Sequence, residues 1–336
     1  MGLLRSYQLR WERRIRLIRS FRKGRELTSH VKRTFKIQKD DIVLFTVVRN
    51  EKPRLSYFLK YYREMGVSHF VFVDNDSTDG TKEYLEKQED TSIWTTKASY
   101  KRARFGVDWL NRLLRKYGSG HWVLVVDVDE FFVFPHSDKR PLKALTDWLD
   151  ASSIKSFGAM LLDMYSERPF EKTPYRSGTD PIKKLEYFDP GNYTMKRNKK
   201  YGNLWVQGGP RQRIFFDDNP AKAPALNKIP LVKWKKSYVY VSSTHNLLPR
   251  GLNLVYDEWG GEKATGCLLH AKFLDILSIK AVEELERKQH YAASREYEAY
   301  TKKIGTGTRL WTENSAKYED WRQLEDLGLM SSGNWI

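Results

Sequence analysis

The strongest constraint on this chain is a regular alternation in its first 130 residues. Ile42–Val48 is an unbroken apolar, β-branched run, and shorter runs follow at 69–73, 92–95 and up to Asp127. A strand that is apolar without alternation is buried on both faces, as in a parallel sheet covered by helices. Between the runs lie helical patterns at 55–65, 79–87 and 106–117, the first closed by Gly66 and the last by Gly118. This β-α-β-α-β-α-β order predicts an α/β fold with a doubly wound, Rossmann-like, mostly parallel central sheet flanked by helices.

The fourth run ends in His121-Trp122-Val123-Leu124-Val125-Val126-Asp127-Val128-Asp129-Glu130-Phe131. Asp127 and Asp129 stand at i and i+2, so an extended chain points both carboxylates to one side. Two such carboxylates repel unless a proton or cation lies between them. All-oxygen donors suit Mg²⁺ or Mn²⁺, held by one or two carboxylates plus substrate phosphates. The carboxyl end of a central parallel strand is also where open α/β sheets bind ligands. The plainer reading is a strand followed by an acidic, solvated turn. A second acidic strand end, Asp74-Asn75-Asp76-Ser77-Thr78-Asp79-Gly80-Thr81, argues for a site, although an Asx-turn with a helix cap accounts for that stretch too.

The formal net charge of +17 points to an anionic partner. Residues 1–25 hold nine Lys and Arg against one Glu, about half of the excess. Residues 3–22 read as a basic amphipathic helix with Leu4, Tyr7, Trp11, Ile15 and Ile18 on one stripe. Such a helix suits an anionic membrane interface, or docks on its own domain or on a partner chain. No apolar run approaches the roughly 18–20 residues of a membrane span, and no secretory signal pattern opens the chain. Cys267 is the single cysteine, which rules out an intrachain disulfide and fits a reducing compartment. Residues 24–41 read as a linker. Beyond Glu130 the pattern predicts a helix at 142–149 and strands at 157–164, 213–216, 238–241 and 268–271. A loop region spans 165–210, a candidate lid or acceptor surface, and a helix runs from about 274 to 303. The expected organisation is an N-terminal segment 1–40, a catalytic domain 41–303 and an extension 304–336.

The ordered blocks Val48-Arg49-Asn50-Glu51, 58–67, 73–81 and Asp127-Val128-Asp129-Glu130-Phe131 resemble family 2-type glycosyltransferases of the GT-A fold, in the subgroup near the galactan-synthase-like enzymes. Leu162-Asp163-Met164-Tyr165, Gly208-Gly209-Pro210-Arg211-Gln212-Arg213 and Leu268-Leu269-His270-Ala271-Lys272 extend the resemblance to roughly 41–300. It implies a GT-A sheet with a smaller mixed β region and a C-terminal helix. It also implies sugar transfer from a nucleoside-diphosphate donor, a UDP-sugar favoured, with Mn²⁺ or Mg²⁺ and inversion at the sugar.

The implied donor residues are Thr46, Arg49, Glu51, Asp74, Asn75, Asp127, Arg211 and Lys272. Asn75 and Asp76 depart from the family's usual second Asp and Gly, which leaves the base open. The implied metal ligands are Asp127 and Asp129, with His270 as the first choice of third ligand and His245 as the second. Arg213 stands with Arg211 as an anion grip, and Tyr100, Lys101 and Arg104 precede the third helix within reach of the nucleotide. An inverting transferase needs a carboxylate to take the acceptor proton. Asp163 is the first candidate, ahead of Glu167, Asp257 and Glu258.

The leading expectation is thus a metal-dependent glycosyltransferase building a cell-surface glycan on a glycan or lipid-linked acceptor such as lipopolysaccharide or capsule. It would work in the cytoplasm, peripheral on the inner face of a bacterial membrane. A non-catalytic glycan-binding protein on the same fold is the alternative. A nucleic-acid-binding protein ranks below both, because the basic residues gather in one helix rather than in a reading module.

Overall fold

The computed structural model describes residues 3–257, 263–277 and 306–335, with positions 280, 281, 283, 300, 301 and 303. In chain order the strands are β1 (Thr28–Val31), β2 (Ile42–Val48), β3 (His69–Asp74), β4 (Thr91–Thr95), β5 (Trp122–Val125), β6 (Glu130–Val133), β7 (Ser156–Asp163), β8 (Tyr187–Phe188), β9 (Tyr193–Arg197), β10 (Leu204–Gly208), β11 (Asn227–Lys233), β12 (Val239–Ser242), β13 (Asn246–Leu248), β14 (Thr265–His270) and β15 (Ala316–Lys317). The described helices are α1 (Leu3–Lys23), α2 (Lys52–Met65), α3 (Thr81–Glu86), α4 (Val107–Leu113), α5 (Leu142–Ala151) and α6 (Trp321–Asp326).

Nine of the described strands form one sheet, ordered β1-β4-β3-β2-β5-β11-β7-β14-β6. Strands β2, β3, β4, β5, β7 and β14 run one way, and β1, β6 and β11 run the other. The mostly parallel sheet with flanking helices matches the sequence reading. Its cause is visible in the packing. Ile42 and Leu44 face a core with Leu55, Phe58, Leu59 and Tyr62 of α2 and Leu142, Leu145 and Leu149 of α5. Val43 and Phe45 face a second core with Val107, Trp109 and Leu113 of α4. Each apolar run fills both layers, which is why it shows no alternation. Helix α2 ends at Gly66, whose φ of 102° gives the left-handed cap that glycine adopts without a Cβ clash.

The structure departs from the sequence reading in several places. Residues 213–216 are not a strand: Arg211–Phe215 is a π-helical turn, entered through Gly208 and Gly209 at φ 146° and 66°. Strand β11, inside the central sheet, was not expected, because Pro230 interrupts its apolar pattern. Its register with β7 shifts between Lys228 and Leu231, an irregularity of the kind that accommodates proline within a sheet. The supposed linker carries β1 on the sheet edge, and β12 pairs with β13 outside the main sheet. Within 165–210, β9 and β10 form a hairpin and β8 pairs with β15. Trp321, Leu324, Met330 and Trp335 of the C-terminal stretch pack into the α2 side of the core. Most of the helix expected at 274–303 lies outside the described residues. No described helix is long and apolar enough to cross a membrane.

Candidate functional site

The carboxyl ends of the parallel strands meet in one cleft. Val48 at the end of β2 stands beside Asp74 at the end of β3. His270, the last residue of β14, is paired with Asp163 of β7 on one side and Glu130 of β6 on the other. The two carboxylates do not lie on an extended strand, as the i, i+2 spacing suggested. Strand β5 ends at Val125, and Asp127-Val128-Asp129 turns into β6, closed by the Glu130 amide donating to the Asp127 carbonyl at 3.0 Å. The Asp127 amide donates to Glu130 Oε2 at 3.1 Å, and the Ala271 amide to the Asp129 carbonyl at 2.7 Å. The turn is therefore held from β6 and β14 together.

Asp127, Asp129, His270 and Lys272 line this cleft with Arg49, Glu51, Arg54, Asn75 and Tyr100 from the facing strand ends. Its cavity volume is about 160 Å³, and its mouth is open to solvent. A smaller cavity beside it is lined by Thr46, Phe105, Glu130, Tyr240 and Thr244, and shares Asp127 and Tyr100 with the cleft.

His270 links two carboxylates. Its Nδ1 is 2.6 Å from Asp163 Oδ1, and its Nε2 is 3.5 Å from Asp129 Oδ2. Arg211 Nε donates to Asp163 Oδ2 at 2.7 Å, so both oxygens of Asp163 are engaged. Burial opposes the imidazolium, but Asp129 and Asp163 outweigh it and raise the His270 pKa. Burial also opposes the Asp163 carboxylate, and Arg211 with His270 lowers its pKa nevertheless. For Asp129, His270 likewise overcomes burial and holds the carboxyl well below its usual range, with Arg54 and Lys272 adding to it. Asp127 behaves in the opposite way. Although 60% of its side chain reaches solvent in the cleft, the surrounding protein and the Glu130 charge push its carboxyl up to about 6.

Lys228 of β11, unanticipated because its strand was, sits under this turn. Its Nζ is 2.9 Å from Glu130 Oε1 and 3.9 Å from Asp127 Oδ2, with 6% of its side chain exposed. Burial works against the ammonium, but Glu130 and Asp127 raise its pKa. Arg54 was also missed. It donates to Glu51 Oε2 at 3.0 Å.

The remaining expected residues divide between the cleft and the scaffold. Arg49 Nη1 donates to the Asn75 and Asp76 carbonyls at 2.7 and 2.6 Å, and its Nε to Glu283 at 2.7 Å. Glu51 pairs with Arg54 and Lys280. Asp74 Oδ1 accepts from the Ser77 amide at 3.1 Å, and Asn75 Nδ2 donates to the Thr96 and Ala98 carbonyls. The turn half of the 74–81 reading therefore holds, but Gly80 stands at the start of the following helix without a side-chain cap, and Asn75 still lines the cleft. Asp74 Oδ2 and Thr46 Oγ1 are buried without a hydrogen-bond partner among the described residues, Thr46 on the smaller cavity rather than the cleft.

Arg211 is buried against Asp163, and Arg213 grips Asp189 with two bonds of 2.9 and 3.0 Å. Neither lines the cleft. Arg104 pairs with Asp108. His245 is not brought to the cleft either: its Nδ1 lies 2.6 Å from the Asn227 carbonyl, and burial, with Lys228 and Arg211 nearby, pushes its pKa down to about 3. Glu167 is exposed on the loop after β7 and accepts from the Tyr187 hydroxyl at 2.6 Å. Asp257 pairs with Lys263 at 3.0 Å, and Glu258 lies outside the described residues.

Asp129 Oδ2 and His270 Nε2 are two facing donors, and among the described residues no group of three His, Cys, Asp or Glu forms a closed metal cage. That donor set fits Mg²⁺ or Mn²⁺ of the kind held by one or two protein groups plus substrate phosphates. The carboxylate behind the far ring nitrogen is the usual way a metal-binding histidine is oriented. Compared with protein-family models and with curated proteins, the chain matches none of them.

Proposed function

We propose that this cleft transfers a sugar from a nucleoside-diphosphate donor, with Mn²⁺ or Mg²⁺ bound between Asp129, His270 and the donor's diphosphate, on a sheet of the GT-A type. The observation that carries this reading is His270, clamped by Asp163 and facing Asp129 at 3.5 Å, at the carboxyl ends of parallel strands. When bound, the ion supplies charge stabilisation for the departing diphosphate. Arg49, Arg54 and Lys272 supply further positive charge around the same cleft. Asp127, exposed at its edge, orients the donor. UDP-sugars are the donor class we favour, and a glycan or lipid-linked acceptor the class of substrate.

The roles of Asp163 and Glu167, the first two of the four candidate bases, separate. Asp163 has 1% of its side chain exposed and both oxygens engaged, so we assign it to positioning His270 rather than to taking the acceptor proton. Among the other candidates we take Glu167, exposed on the following loop, for that step. The test is release of nucleoside diphosphate from a panel of nucleotide sugars, measured on chelator-treated protein and again after Mn²⁺ is restored. Release from one donor that returns with Mn²⁺ supports the reading. Release from none, with or without the ion, contradicts it.

A further inference from the structure

The amphipathic stripe of α1 faces outward. Leu4, Tyr7, Trp11, Ile15, Ile18 and Phe21 are 84, 69, 54, 49, 55 and 50% exposed. This is not a helix left undocked. Its opposite face is seated on the domain, where Leu9 packs with Val239, Val241 and Leu248, and Ser20 is fully buried. Arg16 donates to the Val241 carbonyl at 3.3 Å, and Arg19 pairs with Asp108 of α4 at 2.7 Å. The helix is thus fixed with its larger apolar side chains in solvent, an arrangement that soluble surfaces avoid over contiguous areas.

The charges are sorted in the same sense. Glu12, the only acidic residue of the helix, is turned toward the domain and held by Arg16, Lys200 and Tyr201. Arg10, Arg14 and Arg22 are exposed and form no ion pair among the described residues. At 100° per residue, Arg10 borders the stripe beside Phe21, and Arg14 and Arg22 fall within it. An apolar stripe with an aromatic residue near its centre, with exposed arginines in and beside it and cleared of carboxylates, matches an anionic bilayer interface.

We propose that the outer face of α1 docks the protein on anionic lipid membranes, with Trp11 and Ile15 entering the headgroup boundary. The proposal stands on the exposure and charge of α1 and does not depend on sugar transfer. A second copy of the chain is the competing occupant, and it lacks the charge argument, since each copy would bring the same arginines.

The test is flotation of the full chain with phosphatidylcholine vesicles, with and without phosphatidylglycerol, alongside analytical ultracentrifugation. The expected result is binding to the anionic vesicles only, weakened by added salt. Trp11→Glu with Ile15→Glu should reduce it by roughly tenfold or more while leaving nucleotide binding and circular dichroism unchanged. Absence of binding to anionic vesicles by the unaltered chain overturns the proposal, as does equal binding to neutral vesicles. A dimer in solution that the double variant dissociates, with no vesicle binding, assigns the face to a second copy instead. Should the double variant fold poorly, Arg10→Glu with Arg14→Glu tests the same face, and unchanged anionic binding by that variant overturns the proposal.

Discussion

His270 and Asp163 are 107 residues apart in sequence and share a hydrogen bond of 2.6 Å across adjacent strands. The bond leaves Nε2 of the ring facing Asp129. Asp163→Asn keeps the shape but removes the charge that holds the ring. Mn²⁺ affinity in the presence of nucleotide should fall by roughly 10–100-fold. A merely structural Asp163 would lower the melting temperature and leave that affinity unchanged, so titration of the folded variant separates the two.

Lys228 compensates the buried Glu130 at 2.9 Å. Lys228→Met should destabilise the fold by about 3–5 kcal/mol, because it strands a buried carboxylate. Adding Glu130→Gln should restore much of the loss, since the uncompensated charge is then gone. Urea denaturation of the single and double variants checks this. Additive losses would show that the two side chains do not act as a pair.

His69 is buried in β3, bonded to Ser92 Oγ at 2.9 Å, and burial pushes its pKa down to about 4. The unfolded chain takes up a proton near pH 6.5, before the folded protein does. The stability contributed by neutral His69 is therefore full above that pH and is lost as pH falls toward 4, by at most about 3 kcal/mol. Denaturation midpoints between pH 7 and 4 should decline less steeply in His69→Gln. An identical slope in the two proteins would contradict this.

Cys267 is fully buried in β14 and burial raises its thiol pKa strongly. A low thiolate fraction and no solvent access should make it inert to a thiol reagent in the native protein and reactive in denaturant. Rapid labelling of the native protein would mean that β14 opens readily at its Cys267–Leu329 contact.

The sheet was legible where residues are local and uniform. The runs forming β2, β3, β4 and β5 are apolar on both faces, so each declared itself without its neighbours. Strand β11 did not, because Pro230 breaks its pattern and only a shifted register explains how it fits. Lys228 was lost with it. Asp127, Asp129 and His270 were found as strand-end residues, but periodicity could not show that Asp163 would point at His270 instead of into the cleft. Likewise the stripe on α1 was readable from spacing. Which side it faced was not, because the seated side offers one buried leucine, Leu9, beside polar groups such as Ser20 and Arg19, and the partners of Leu9 lie more than 200 residues away in β12 and β13.

The central claim is that Asp129 and His270 bind a divalent ion together with a nucleoside diphosphate. Calorimetric titration with a panel of nucleoside diphosphates, with and without Mn²⁺, on the unaltered chain and on Asp129→Asn tests it most directly. The account predicts metal-dependent binding of one nucleotide that the variant loses. Binding of no nucleotide by the unaltered chain, with or without the ion, would contradict it and favour a glycan-binding protein whose carboxylate turn is structural.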